Sequence, residues 1–232
     1  MSVRSMPRRG ADRSERQRLA PEEREAELLA AARQLLREVG YEKFQPAEVA
    51  RRAGVSQGLV YRYFPTKRDL LGRVAEDWLA EILVHEPDLS GCADTYERLR
   101  DVVAYALGVV RAEPALTRYI LLELRADPAF RGSTVHLLNR RITGLVIGVL
   151  RDAIERGEFR EDISMALLRD LIFGAIEHQT WAYLRGEGDF RVETSAAGIA
   201  ALVCGGMQAP PRVEAIEARA ESARPGRRRP SR

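Results

Sequence analysis

The stretch QPAEVARRAGVSQGLVYRYFPTK, residues 45–67, decides how this chain is read. Gln45 precedes Pro46, a residue well suited to the first helical position, and Glu48 follows in the first turn, where the positive end of a helix favours it. Val49, Ala50 and Ala53 supply a buried stripe. Gly54 offers the positive φ that ends a helix at little cost. Ser56 caps a second helix running from Gln57 to about Phe64. Two short helices joined by a tight turn containing Gly predict a helix-turn-helix, whose second helix enters the DNA major groove. The charge agrees: residues 43–68 carry Lys43, Arg51, Arg52, Arg62, Lys67 and Arg68 against the single acid Glu48.

The aromatic residues sharpen the expectation. Phe64 can fill a core, but Tyr61 and Tyr63 lie about 200° apart on a helix and are not expected to be buried together. A tyrosine hydroxyl at a helix edge can bond a phosphate oxygen. Lys67 follows Pro65 and Thr66 at the start of a further helix. There its ammonium and the free backbone N–H groups can meet a phosphate together.

The run from Glu27 to Leu71, ELLAAARQLLREVGYEKFQPAEVARRAGVSQGLVYRYFPTKRDLL, resembles the DNA-binding domain of the TetR family of transcriptional regulators. Three features carry the resemblance: the AA-x-x-L-L helix that ends in Gly40-Tyr41, the Val49-Ala50 to Ala53-Gly54-Val55-Ser56 turn, and the Tyr61-to-Leu71 ending. The resemblance implies an all-α protein. An N-terminal three-helix DNA-binding domain would be joined to a larger helical domain that binds a small molecule and forms a homodimer. It places Gln45, Gln57, Gly58, Leu59, Tyr61, Tyr63 and Lys67 where the family contacts DNA. Gln57 opens the reading helix and can address a base edge, adenine being its favoured bidentate partner. Gly58 lets the helix backbone approach closely, while Tyr61, Tyr63 and Lys67 would hold phosphates. Two positions depart from the family pattern. Leu59 stands where a small hydroxyl residue is usual and can pack only on a thymine methyl. Gln45 replaces the usual Thr or Ser cap. Both departures bear on which sequence is read, not on whether DNA is bound.

Composition fits. The chain has 232 residues, 45% hydrophobic and 31% charged, with a net charge of +3. That charge is strongly partitioned. Residues 1–21 and 208–232 are each +4, so the body between them is −5 although it contains the +5 motif. A basic patch on an acidic body directs a protein to DNA and discourages indiscriminate coating. Coding bias explains why there are only two lysines, but not why the arginines cluster. Cys92 and Cys204 stand alone, which argues against a disulfide or a zinc site. The first residues lack the apolar core of a signal peptide, and the longest apolar run, 142–150, is too short to span a membrane. A cytoplasmic, nucleoid-facing protein is expected, with no membrane partner and no cofactor or metal.

Helical periodicity continues along the chain. It predicts helices over 22–39 with Gly40 as the stop, 67–84 opened by a Thr66–Asp69 capping box, 94–112, 114–127, 128–156 ended by Gly157, 164–185 and 194–207. The expected organisation is a basic arm at 1–20, a helix-turn-helix domain at 21–66, a C-terminal helical domain at 67–207 and an Arg- and Pro-rich tail at 208–232. SMALLRDLIFGAIEHQTWAYL and TSAAGIAALVCGGM are apolar over a wide arc, so each must bury two faces. One face joins the core and the other pairs with a second subunit as a four-helix bundle.

For a small-molecule effector the candidates are polar or aromatic residues inside apolar stripes: Trp78, Tyr105, Tyr119, Glu123, His136, Asn139, Phe173, Glu177, His178 and Trp181. IFGAIEHQTWAYLRG resembles a helix of TetR-type regulators that sense fatty acyl-coenzyme A, with Arg118, Arg140 and Arg141 available for an anionic head group. A cationic aromatic effector, with Glu123 or Glu177 as counter-charge, is the competing expectation. Enzymatic readings fail because His85, His136 and His178 have neither metal-ligand spacing nor a neighbouring nucleophile. A helical-bundle enzyme or lipid-binding module that keeps the motif as scaffold is the alternative of another class.

Overall fold

The computed structural model describes residues 20–208, so the expected basic arm and tail, apart from Ala20 and Gln208, lie outside the described residues. Helices build these residues: α1 Pro21–Lys43, α2 Pro46–Arg52, α3 Gln57–Tyr63, α4 Lys67–Val84, α5 Thr95–Ala112, α6 Pro114–Tyr119, α7 Thr134–Glu155, α8 Met165–Leu184 and α9 Val192–Met207. The only β pairing among them is an isolated bridge between Phe159 and Gln208.

The local signals act where the sequence puts them. Gly40 leaves helical geometry at φ 72°, ψ 173°, so the final turn of α1 is set off by a kink. Gly54 and Gly157 take φ 66° and 73°. Ser56 Oγ accepts from Leu59 N at 3.2 Å. Thr66 and Asp69 form the reciprocal box, with Thr66 N to Asp69 Oδ2 at 2.9 Å and Asp69 N to Thr66 Oγ1 at 3.1 Å.

One stretch departs from expectation. α6 ends at Tyr119 and gives way to a π-helical turn, Ile120–Leu124, rather than running to residue 127. Pro128 opens only a short 3₁₀ turn, Pro128–Phe130, in which Asp127 caps Ala129 N at 2.6 Å. Gly132 at φ 86° then breaks the chain direction. The long helix begins at Thr134, with Ser133 Oγ accepting from His136 N at 3.2 Å. Proline suits a first helical turn of any length, so it cannot reveal that Gly132 interrupts the helix four residues later.

The described residues form two compact units, and these do not divide at residue 66. The first contains residues 20–84 and 113–138; the second contains 85–112 and 139–208. In the first, Leu28, Ala32, Leu35 and Leu36 of α1 are buried with Phe44, Val49, Val60, Leu70, Leu71, Val74, Trp78, Leu116 and Tyr119. Residues 113–119 pack on α1 here, which periodicity did not reveal. In the second unit α5 lies chiefly against α9, with Leu99, Val103, Leu107, Leu150, Ile172, Ile176 and Ala200 in its core. Arg98 bonds Asp152 at 2.9 Å, and Tyr183 Oη donates to the Arg111 carbonyl at 3.1 Å. Among the described residues no helix is long and apolar enough to cross a membrane.

Candidate nucleic-acid interface

The interface is built on two seven-residue helices that could not persist alone and are held by what they bury. Val49, Ala50, Val60 and Phe64 turn inward, with Val49 and Val60 wholly buried. This fixes which face of α3 stays outside. Gln57 and Gly58 are exposed, Leu59 and Tyr63 are half-buried, and Tyr61 keeps 41% of its surface. Tyr61 and Tyr63 thus both remain reachable. Tyr63 rests near Phe64, ring centres 6.3 Å apart, with the Arg62 guanidinium 6.0 Å over its ring. Gln45 is exposed at the start of α2 and makes no capping bond, so its amide is available to a ligand.

Gly58 is informative. Among the described residues nothing lies within 4 Å of where its Cβ would be, and its φ is not positive, so neither crowding nor backbone conformation there demands glycine. A glycine within a helix costs about 0.5–1 kcal/mol relative to alanine. The remaining physical reason is a surface that must come close from outside. Gly58→Ala is therefore expected to leave the unfolding midpoint unchanged or raised. It is also expected to weaken operator binding about tenfold, read by fluorescence anisotropy; undiminished affinity would remove the close-approach role.

The basic patch is less free than its formal charge suggests. Arg51 holds Glu48 through two bonds of 2.7 and 2.6 Å, and Arg52 bonds both Glu48 (3.2 Å) and Glu38 (2.6 Å). Hydrogen bonds from Arg51 and then Arg52 hold the Glu48 carboxyl down to about 2, so it stays ionised. Arg68 pairs with Asp127. Exposed pairs of this kind contribute little to stability and yield readily to a phosphate.

Lys67 differs most from expectation. Its ammonium turns into the unit, donating to the Tyr41 carbonyl at 2.5 Å and lying 3.9 Å from the Tyr41 ring centre. Burial lowers its pKa, partly offset by the charges of Glu123 and Glu42. A phosphate contact requires it to leave Tyr41. The turn after α1 offers a carbonyl and an aromatic face together, and these compete with solvent for the ammonium.

Behind α1 sits a group that the sequence did not flag. Glu113 is 2% exposed and receives Arg33 Nε at 2.8 Å and Arg37 Nε at 2.9 Å, while Arg33 also holds Glu81 at 2.8 Å. Burial pushes its pKa up, but the Arg37 bond and the charges of Arg33 and Arg37 outweigh this and hold it below its ordinary value. Arg33 and Arg37, four apart on α1, were the available signal. Beside them Tyr119 stacks on Tyr41, ring centres 5.1 Å apart.

The candidate effector residues divide between the units. Trp78, Tyr119, Glu123 and His136 belong to the first; Tyr105, Asn139, Phe173, Glu177, His178 and Trp181 belong to the second. Trp78 and Tyr119 are core residues at 5% and 2% exposure, whereas Glu123 is exposed. Tyr105, Asn139, Phe173, Glu177 and Trp181 are half-buried.

Comparison with known proteins accords with this architecture. Residues 28–74 match the family model of bacterial regulatory proteins of the tetR family, and residues 92–207 match that of the tetracyclin repressor-like C-terminal domain. The chain belongs to the TetR family. It is a TetR-type DNA-binding transcriptional regulator. It is 23% identical over 182 residues to the fatty acid metabolism regulator protein of Bacillus subtilis, covering 78% of this chain and 94% of that one. The repressor KstR2 of Mycobacterium tuberculosis is 24% identical over 191 residues, 79% of this chain and 92% of its own. The crystal structure of FadR from Bacillus subtilis in complex with stearoyl-CoA has the same fold. Its TM-score is 0.66 at 24% identity, covering 79% of this chain and 99% of that chain. These relatives are transcriptional regulators. In this TetR-family chain the matched C-terminal region includes residues 113–138, which the structure packs into the DNA-binding unit.

Proposed function

We propose that this TetR-family regulator is a homodimeric repressor that leaves a palindromic operator when an amphipathic effector, a long-chain fatty acyl-coenzyme A, fills its second unit. The observation that carries the DNA half of the reading is the exposed face of α3. Gln57, Gly58 and Tyr61 stand outward on a helix fixed from behind by Val60 and Phe64. Two such helices in a dimer would enter successive major grooves ~34–36 Å apart. Gln57 would read a base edge, Leu59 would meet a thymine methyl, and Gln45, Tyr61 and Tyr63 would hold phosphates. Lys67 would join them after release from Tyr41. The protein would act in the cytoplasm, on the nucleoid.

The effector half is supported by likeness to the Bacillus subtilis fatty acid metabolism regulator and by the half-buried aromatic residues of the second unit, Tyr105, Phe173 and Trp181. Coupling would run through residues 113–138, which the chain enters and leaves from the second unit and whose first residues, 113–119, pack on α1. A shift there would move α1 and hence the face that α3 presents. Such coupling is typically ~1–3 kcal/mol.

Long-chain acyl-coenzyme A is expected to raise the unfolding midpoint and lower operator affinity, with short-chain and free coenzyme A doing neither. No effect of the long-chain thioester on either quantity would end the acyl reading. On the DNA side, Tyr61→Phe is expected to weaken binding uniformly across sequences. Gln57→Ala is expected to relax preference by ~1–3 kcal/mol at one base pair. A binding-site selection in which Gln57→Ala leaves the preference profile intact would take Gln57 out of base reading.

A further inference from the structure

Two neighbouring hollows in the first unit are absorbed by neither the DNA-binding nor the effector reading. One, about 420 Å³, is lined among others by Tyr63, Phe64, Gly72, Leu124, Phe130 and Val135. The other, about 310 Å³, lies against Tyr41, Tyr119, Glu123, Leu124 and Asp127. Arg68 and Leu124 line both, so the Arg68–Asp127 ion pair stands between them.

Three independent features mark this groove as built for something. First, Tyr119 is 2% exposed, yet its hydroxyl has no hydrogen-bond partner among the described residues. A buried hydroxyl left unpaired costs about 1–3 kcal/mol, so a partner is expected from the space beside it. Second, Gly72 sits inside α4 with no described residue within 4 Å of where its Cβ would be and no positive φ. The fold therefore does not require glycine there, and the room it leaves opens on the larger hollow. Third, the charges do not balance. Glu25, Asp69, Glu76, Glu123 and Asp127 line the two hollows against only Arg68 and Arg73. Arg73 already meets Glu25 at 3.3 Å, Glu76 at 4.0 Å and Asp77. Glu123 enters no ion pair within 4.0 Å among the described residues; the Lys67 ammonium over Tyr41 feels its charge without meeting it. Phe64, Leu124 and Val135 give the groove a buried apolar floor.

We propose that this double groove binds a small amphipathic cation, a single ammonium on an aromatic or short aliphatic body, at a site separate from the acyl-chain effector of the second unit. The apolar body lies over Phe64, Phe130, Leu124 and Val135. The ammonium reaches Glu123 and Asp127, where it competes with Arg68, and an N–H can donate to the Tyr119 hydroxyl. Anionic ligands are disfavoured by the excess of carboxylates. Because Tyr63 and Arg68 line the groove, its occupant touches the end of the reading helix and the start of α4 directly. Operator affinity is therefore expected to fall about fivefold or more when the groove is filled.

The test uses the full chain with 4-phenylbutylamine and, as the anionic counterpart of similar shape, 5-phenylpentanoate, followed by calorimetric titration and operator binding. The amine is expected to bind and weaken operator binding, and the carboxylate to do neither. Glu123→Gln, at an exposed position that does not threaten folding, should weaken amine binding roughly three- to fivefold. Gly72→Leu, growing into the larger hollow, should abolish it. Both variants should keep their response to long-chain acyl-coenzyme A if that reading holds. Loss of the acyl response in the unmodified protein, with amine binding intact, rejects the acyl reading and leaves this one standing. Equal binding of amine and carboxylate, or unchanged amine affinity in Glu123→Gln and in a folded Gly72→Leu, would overturn the proposal.

Discussion

Glu113→Ala is expected to lower the stability of the protein by about 2–3 kcal/mol. Removing one partner of a buried ion pair costs ~3–5 kcal/mol, because the charge left behind is unpaired in a poorly solvated place. Here the carboxylate is the buried member, its side chain 3% exposed, while those of Arg33 and Arg37 are 23% and 51% exposed. The guanidinium groups partly recover water, which reduces the figure. For a chain of this length, that loss corresponds to roughly 5–10 °C in unfolding midpoint. The pH dependence has a definite sign. The Glu113 pKa is held below its ordinary value of 4.5, so its contribution is present above that value and is lost as pH falls through the lower, folded-state value. The gap between parent and variant should be constant near neutrality and close in acid. An unchanged midpoint at pH 7 in a thermal scan would show that the cluster is not structural. The same variant should also change how far an effector shifts operator affinity, since Glu113 fastens residues 113–138 to α1.

The second large effect concerns assembly. In the second unit, α8 leaves Leu167 and Leu171 at 51% and 58% exposure, and α9 leaves Leu202 at 80%. Gly174, Ala175 and His178 continue the exposed stripe on α8, as Gly198, Ala201 and Gly205 do on α9. An exposed apolar stripe of small residues and leucines on adjacent helices is the surface that a second copy would cover. Leu171→Glu combined with Leu202→Glu places two charges per subunit in that surface. Sedimentation should then give 26.0 kDa where the parent is expected to give twice that mass. Operator affinity should fall by about 10²–10⁴, because each half-site would be bound without the other. A variant that still sediments as the parent does would relocate the dimer face. A monomeric variant with full operator affinity would refute the two-half-site model.

These two predictions differ in what made them available. The stripe on α8 and α9 was legible in the sequence, since helices apolar on more than one face must bury both. The two-helix motif was legible for the same kind of reason. Ser56 with Leu59 and Thr66 with Asp69 are residues three apart, and Gly40, Gly54 and Gly157 act on their own backbone. Interactions of that reach are written in spacing alone. Glu113 was not legible. Its partners lie 80 and 76 residues away, and nothing in periodicity says which helix face will receive a carboxylate from so far along the chain.

Sequence by itself thus determined the all-helical class, the second helix of the motif, and most of the helix ends; the structure puts Gln57, Gly58 and Tyr61 on that helix's outer face. Each rests on hydrogen bonds and torsions within about four residues, or on one-sided burial that the apolar pattern records. Only the tertiary structure decided that residues 113–138 join the DNA-binding unit, that Arg52 also reaches Glu38 and that Arg68 is engaged by Asp127. It alone turned Lys67 inward onto Tyr41 and left the Tyr119 hydroxyl buried without a hydrogen-bond partner among the described residues, beside an acidic groove. Those outcomes depend on which helices dock and in what register, so a charge or hydroxyl acquires its role from neighbours that the local sequence does not name.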